Sequence, residues 1–184
     1  MVTVCYFLVY YGFMVLQLRL RGDAERRAES RGEAFDRYST RDKGAIMGDR
    51  TFLNSLEQMG AFLASLWLCA FCVSPDLATV LGSVAVVARL LFPVFWSRGP
   101  SGNWNMLVEL STQPYYLAVF GMLGAVALWA LFDVNVTELS AGYTVLSVLG
   151  VYVLLFVLAF ALGVMLHMAT RGAYGNSIVG SESD

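Results

Sequence analysis

Three polar residues stand at the start of one apolar segment, and a fourth lies inside the next. Arg50, Asn54 and Glu57 occur in DRTFLNSLEQMGAFLASLWL, and Arg89 is the single charge in VAVVARLLFPVFW. On an α-helix the first three fall within an arc of about 60° on one face. A charge at membrane depth is costly unless it faces the bundle interior or a water-filled cavity. We therefore expect these four residues to form a ligand-binding site or a structural polar cluster.

Glu57 and Arg89 have opposite charges and belong to neighbouring apolar segments. Only Ser74, Pro75 and Asp76 separate the two segments, so we expect a tight helical hairpin. A buried ion pair between the two helices would fix their register and association. The same two charges would equally serve a bound ligand. The spacing supports both interpretations.

The composition indicates which elements position these residues. Apolar residues make up 58% of the chain, charged residues only 14%, and the mean hydropathy is +0.63, which excludes an ordinary soluble enzyme. A membrane-spanning helix needs about 17 to 25 apolar residues. Five segments qualify, at about 2–18, 52–73, 77–96, 113–132 and 141–168, with a polar loop at 19–50 and a polar tail at 169–184. The sequence predicts an all-α integral membrane protein that folds as one helical bundle.

The basic residues predict the topology. Nine of the twelve lie in the first loop, and with five spans Arg98 and Arg171 fall on the same side. A four-span arrangement would put Arg171 opposite the others, so we prefer five. The first loop also carries seven acidic residues, so it is nearly neutral and predicts no nucleic-acid partner. Cys69 and Cys72 have the spacing of a metal or redox pair, but no second pair accompanies them, and we predict no metal site.

The part of the sequence that contains these four polar residues resembles a known protein family. Residues 50–96 resemble the MAPEG family, the membrane-associated proteins of eicosanoid and glutathione metabolism. The similarity comprises Arg50, Asn54 and Glu57, the FLASLWL that follows, and ARLLFPVFW with Arg89. It implies a homotrimer of four-helix bundles that binds glutathione or a lipid between subunits, and in catalytic members an arginine holds the glutathione sulfur as the nucleophilic thiolate. On this resemblance the arginines suit glutathione's carboxylates and Glu57 suits its ammonium group.

The sequence also departs from the family pattern. Phe92 and Trp96 stand where family tyrosines supply hydroxyls to glutathione, and Pro93 falls in the same turn. Arg98 is the one base near the expected thiolate-stabilising position, and it comes too early in an ungapped alignment. The fifth span is an addition to the usual four. We therefore expect the chain to keep the family's helical fold and to have lost much of its glutathione-dependent catalysis.

Three functions follow as hypotheses. The first is a catalytically inactive accessory subunit of a larger membrane assembly, such as an organellar energy-transducing complex. The second is a glutathione-dependent transferase or peroxidase acting on lipophilic electrophiles, with Arg98 or Arg50 stabilising the thiolate. The third is a lipid-binding protein that presents its ligand to another enzyme and needs an apolar groove facing the bilayer. The expected partners are membrane lipids and other membrane subunits or further copies of the chain, in an organellar inner membrane or the endoplasmic reticulum.

Overall fold

Five long helices account for most of the chain. The computed structural model describes residues 1–36, 38, 41–98, 106–139 and 141–179, without the side chains of 141, 144, 167 and 169–179. Each helix has a segment long and apolar enough to cross a membrane, which confirms the predicted fold class. The helices are α1 (Val2–Ser30), α2 (Lys43–Cys72), α3 (Pro75–Ser97), α4 (Met106–Phe132) and α5 (Ala141–Val179).

The helices extend beyond the predicted spans on the side of the first loop. Helix α1 continues to Ser30 because the segment after residue 18 is rich in Ala, Arg and Glu, which are strong helix formers. Helix α2 already begins at Lys43, where the Asp42 side chain accepts hydrogen bonds from the Gly44 and Ala45 backbone N–H groups. The predicted polar loop is therefore helical over much of its length. Helix α5 likewise continues into the predicted tail, and residues 180–184 lie outside the described part of the chain.

Two ion pairs join the extensions of α1 and α2. The Arg21 guanidinium donates to both carboxylate oxygens of Asp49 at 2.7 and 2.8 Å, and Gln17 donates to the same carboxylate at 2.9 Å. Arg27 donates in the same two-pronged way to Asp42. Paired N–H groups on one carboxylate give a more specific contact than a single exposed ion pair. These contacts hold the two helices together beyond their apolar segments.

The first four helices form the core, and α5 lies against α4. Helices α2 and α3 form a hairpin, and Ser74 is the N-cap of α3. Its side-chain oxygen accepts from the Leu77 N–H, and Pro75 occupies the first turn of α3. Large buried side chains fill the centre of the four-helix bundle; they include Tyr6, Phe62, Tyr115 and Met122. Together these contacts place α2, α3 and α4 around Arg89.

Helix α5 reaches α4 through two glycines. A Cβ atom at Gly124 would lie 1.9 Å from Val151 Cγ1, and one at Gly121 would lie 2.9 Å from Val148 Cγ1. Any larger residue at Gly124 would therefore push the two helices apart. Gly121 and Gly124 thus serve packing within the chain, whereas Ala159 and Gly163 on α5 are exposed.

Candidate functional site

The four residues singled out in the sequence separate into two pairs. Arg89 is buried at 4% exposure and Asn54 is half-buried beside it, whereas Arg50 and Glu57 are exposed on the outer surface of α2. The expected ion pair between Glu57 and Arg89 is not formed in the described structure. The next residue on α2, Gln58, faces Arg89 instead, since one step along a helix rotates the side chain by about 100°. The sequence pattern grouped the four residues, and the rotation of α2 separates them.

Arg89 is held by neutral groups. Its NH1 donates to Asn54 Oδ1 at 3.2 Å and its NH2 donates to Gln58 Oε1 at 2.8 Å. The guanidinium carbon also lies 3.9 Å from the centroid of the Tyr115 ring, a close cation–π contact. The buried Nε has no hydrogen-bond partner among the described residues. A full positive charge therefore stays inside the bundle and is stabilised by amide oxygens and an aromatic face.

The surrounding polar side chains link all four core helices. Tyr6 on α1 donates to the Ser55 backbone oxygen at 3.1 Å, and Tyr115 on α4 donates to the Gln58 backbone oxygen at 3.2 Å. Gln58 Nε2 in turn donates to the Tyr116 hydroxyl at 2.8 Å. A hydrogen-bonded layer of this kind aligns helices that an apolar core alone would leave free to slide. We call this set the polar layer: Tyr6, Asn54, Gln58, Arg89, Tyr115 and Tyr116.

Four members of this layer, one glutamine and three tyrosines, are not among the residues that the sequence predicted. Gln58 is uncharged and stands beside the charged Glu57, so the rule that singles out charges in apolar segments does not select it. Tyr6 and the pair Tyr115–Tyr116 were read as part of apolar segments. The tyrosines themselves are a usable signal, because a buried tyrosine hydroxyl needs a hydrogen-bond partner.

The positions expected to bind glutathione hold an apolar cluster. Phe92 is 2% exposed, and its ring stacks on that of Trp96 with the centroids 5.8 Å apart. Val108 of α4 completes the cluster. Pro93 does not end α3, which continues to Ser97. Arg98 follows as the C-cap residue and is exposed. The aromatic side chains at these positions therefore pack α3 against α4.

Arg50 and Glu57 lie on an outward face of α2, and Glu57 is the deeper of the two. Glu57 is fifteen positions before Cys72 at the far end of α2, a distance of about 22 Å along the helix. This depth falls inside the hydrocarbon layer, which is roughly 30 Å thick. Leu53 and Leu56 on the same part of α2 are also exposed. A carboxylate in this position needs a protein partner or water rather than lipid.

A polar cleft of about 680 Å³ opens beside the first loop. It is lined by the ends of α1 and α2 and by the connection between them. Arg27, Arg31, Arg41 and Lys43 contribute its positive charge. Two of these bases are engaged, Arg27 with Asp42 and Arg31 with Glu33. The cleft is large enough for a small polar molecule, and its lining is separate from Arg89 and the polar layer.

The fold and the polar layer define the class of the protein, a multi-pass α-helical membrane protein with a four-helix core. The family model of MAPEG proteins matches residues 1–132, nearly three quarters of the chain and all four core helices. The chain belongs to the MAPEG family. No curated protein and no solved structure gives a match. The match ends at Phe132, the last residue of α4, so α5 lies outside the matched part.

Proposed function

We propose that this MAPEG protein is a non-catalytic accessory subunit of a membrane assembly. The observation that carries the proposal is the internal use of Arg89. Its guanidinium is buried against Asn54, Gln58 and the Tyr115 ring, so it stabilises helix packing instead of presenting a cation to a ligand. Arg89, whose charge would suit an anionic ligand, thus stabilises the fold instead.

The apolar cluster after Arg89 supports the same proposal. A reactive thiolate needs a nearby cation and hydrogen-bond donors to hold its charge. Phe92 and Trp96 fill the places of two donors, and Arg98 is exposed at the end of α3. Losing the hydroxyls and a positioned arginine removes several kcal/mol of ligand and transition-state stabilisation, about 1–3 kcal/mol for each lost contact.

The outward face of α2 supports association with other subunits. Glu57 is exposed at membrane depth, and Arg50 lies on the same face nearer the first loop. Contact with another membrane subunit would remove the carboxylate from lipid and supply hydrogen-bond partners. The neighbour is either a further copy of this chain or a different membrane protein.

Native mass determination after gentle detergent extraction tests the proposal. We expect the protein to migrate in an assembly larger than a homotrimer and to gain no mass when glutathione is added. A free trimer that takes up glutathione stoichiometrically would overturn the accessory role. The same preparation reports the oligomeric state and the ligand, so each is read independently.

A matched pair of variants tests the α2 face. Glu57→Leu should release the protein from its assembly, because it removes the polar group that the partner is expected to bind. Glu138→Leu is the control, since this exposed carboxylate lies in the connection between α4 and α5. If both variants stay assembled, the α2 face is not the contact surface.

Glutathione-dependent catalysis is the second candidate, and two observations favour it. Arg50 and Glu57 present opposite charges on one face, which suits the carboxylates and ammonium group of glutathione. The cleft of about 680 Å³ also opens on the side of the first loop. This candidate predicts conjugation of glutathione to chlorodinitrobenzene and ultraviolet absorption of a bound thiolate, both lost in Arg98→Met. Activity with these properties would replace the accessory role.

A further inference from the structure

An aromatic groove lies between α4 and α5 and shares one residue, Tyr116, with the polar layer. It has a volume of about 260 Å³ and is lined by Tyr116 and Phe120 of α4 and by Phe156, Ala159 and Phe160 of α5. The rings of Tyr116 and Phe120 stack with centroids 5.8 Å apart. Ala159 leaves the space that a larger residue would fill. The groove exists only because α5 is present, and α5 lies beyond the residues that match the family.

Tyr116 is the one lining residue whose side chain carries a polar atom. Its hydroxyl oxygen accepts from Gln58 Nε2 at 2.8 Å. The side-chain oxygen of the same residue, Gln58 Oε1, accepts from Arg89 NH2 at 2.8 Å. A guanidinium behind a chain of hydrogen bonds strengthens the donor at its far end. Within the described part of the chain, no acceptor receives the Tyr116 O–H group. The groove therefore combines aromatic walls with one activated hydrogen-bond donor.

We propose that this groove binds a lipophilic molecule that carries a carbonyl oxygen on a flat ring. The ring would pack against Phe120 and Phe156, and the carbonyl oxygen would accept the Tyr116 O–H. An ordinary acyl chain would leave the hydroxyl without an acceptor in an apolar setting, which is unfavourable. A charged headgroup would find no counter-charge among the five lining side chains. The proposal does not depend on the accessory-subunit role, because the groove is built within one chain.

Equilibrium binding in lipid nanodiscs tests the proposal. The probe is decyl-para-benzoquinone, and decylbenzene is the matched control because it keeps the ring and the chain but has no carbonyl oxygen. We expect saturable binding of one quinone per chain and much weaker binding of decylbenzene. Tyr116→Phe should weaken quinone binding about tenfold, the effect of one lost hydrogen bond, and leave decylbenzene unchanged. Equal binding of the two probes would overturn the proposal.

Two further substitutions locate the site. Ala159→Trp fills the groove and should abolish saturable quinone binding. Ala161→Trp is the matched control, because Ala161 is exposed and does not line the groove. Circular dichroism and native mass of each variant confirm that the helices and the assembly are intact. Equal quinone affinity in the two tryptophan variants, or in Tyr116→Phe and the unchanged protein, would contradict the proposed site. The assembly test with Glu57→Leu is unaffected by either result.

Discussion

The guanidinium carbon of Arg89 lies 3.9 Å from the centroid of the Tyr115 ring, which joins α3 to α4 at the centre of the bundle. Asn54 and Gln58 bind the same guanidinium from α2. The charge is therefore shared between three helices, without a carboxylate partner among the described ion pairs. An aromatic face and amide oxygens stabilise the cation while preserving its charge.

Removing Arg89 tests whether the polar layer stabilises the fold. In Arg89→Met, Gln58 Oε1 loses its donor while remaining in the bundle. We expect the free energy of unfolding to fall by about 1–3 kcal/mol, the cost of a buried unsatisfied polar group. Gln58 is also the second donor to Asn54 Oδ1. Adding Gln58→Met and Asn54→Leu together should restore part of the loss, because both oxygens that accept from Arg89 are then absent. Circular dichroism during unfolding in mixed micelles measures both effects.

The control for this prediction is Arg98→Met. Arg98 is exposed at the end of α3, so its replacement should change the free energy of unfolding by less than about 0.5 kcal/mol. A loss in Arg89→Met that the two added substitutions do not reduce would mean that the amide contacts are not the source of the stabilisation.

A second prediction concerns the contact between α4 and α5. Gly124→Leu should separate α5 from α4, because even a Cβ atom at this position would lie 1.9 Å from Val151 Cγ1. Overpacking of this kind costs about 1–3 kcal/mol. In a background without the native cysteines, cysteines are placed at Phe120 and Tyr152, whose ring centroids lie 6.2 Å apart. Crosslinking of the two cysteines by a short bifunctional maleimide measures the contact. The yield should fall sharply in Gly124→Leu.

Gly150→Leu is the matched control on α5. No atom lies within 4 Å of a Cβ built at Gly150, so the larger side chain has open space. The crosslinking yield should stay unchanged in this variant. Equal yields in the two variants would show that the Gly124 contact does not hold the helices together.

The sequence predicted the architecture because lipid imposes simple rules. A span of about twenty apolar residues must be helical, so five candidate spans followed from hydropathy, and the basic residues favoured five over four. The position of Lys43 inside α2 did not follow, since helices also continue into water where strong helix formers and capping residues permit it. Hydropathy reports where a chain enters the membrane rather than where its helix ends.

The site was harder to predict than the fold. Spacing placed Asn54 and Glu57 within one arc of α2, but it could not show which part of that arc turns inward. The rotation depends on packing with α1 and α4, and here it directs Gln58 toward Arg89 and Glu57 outward. Partner choice at a helix interface is a tertiary property, so a pattern within one segment cannot determine it.

A third prediction concerns pH at the start of α2. Burial works to raise the pKa of Asp42, but hydrogen bonds from the Ala45 N–H and Arg27 outweigh it, so the pKa lies below its usual value. The stabilisation is therefore present above the unfolded-state pKa of about 3.9 and is lost as the pH falls through the folded-state pKa. Hydrogen exchange of the Gly44 and Ala45 amides, corrected for its intrinsic pH dependence, should show protection falling in that acidic range.

Asp42→Asn separates the ion pair from the helix cap. Asparagine can still accept from the backbone N–H groups, but it cannot pair with the charge of Arg27. We expect its amide protection to be lower at neutral pH and nearly independent of pH in the acidic range. Asp23→Asn is the control, because Asp23 pairs with Arg26 on the exposed surface of α1. Unchanged acid sensitivity in Asp42→Asn would assign the titration to another group.

The last prediction is the membrane topology. The alternating direction of five helices puts the connection between α1 and α2 on the same side as the far end of α5, and the connection between α4 and α5 on the other. Met1 and Pro75 line one small cleft, which places the N-terminus beside the α2–α3 turn on that second side. In sealed vesicles of a variant without the native cysteines, an impermeant maleimide should reach Glu29→Cys and Glu138→Cys from opposite sides. A C-terminal reporter should share the side of Glu29, because α5 crosses the membrane once more; finding it on the side of Glu138 would mean that α5 does not span.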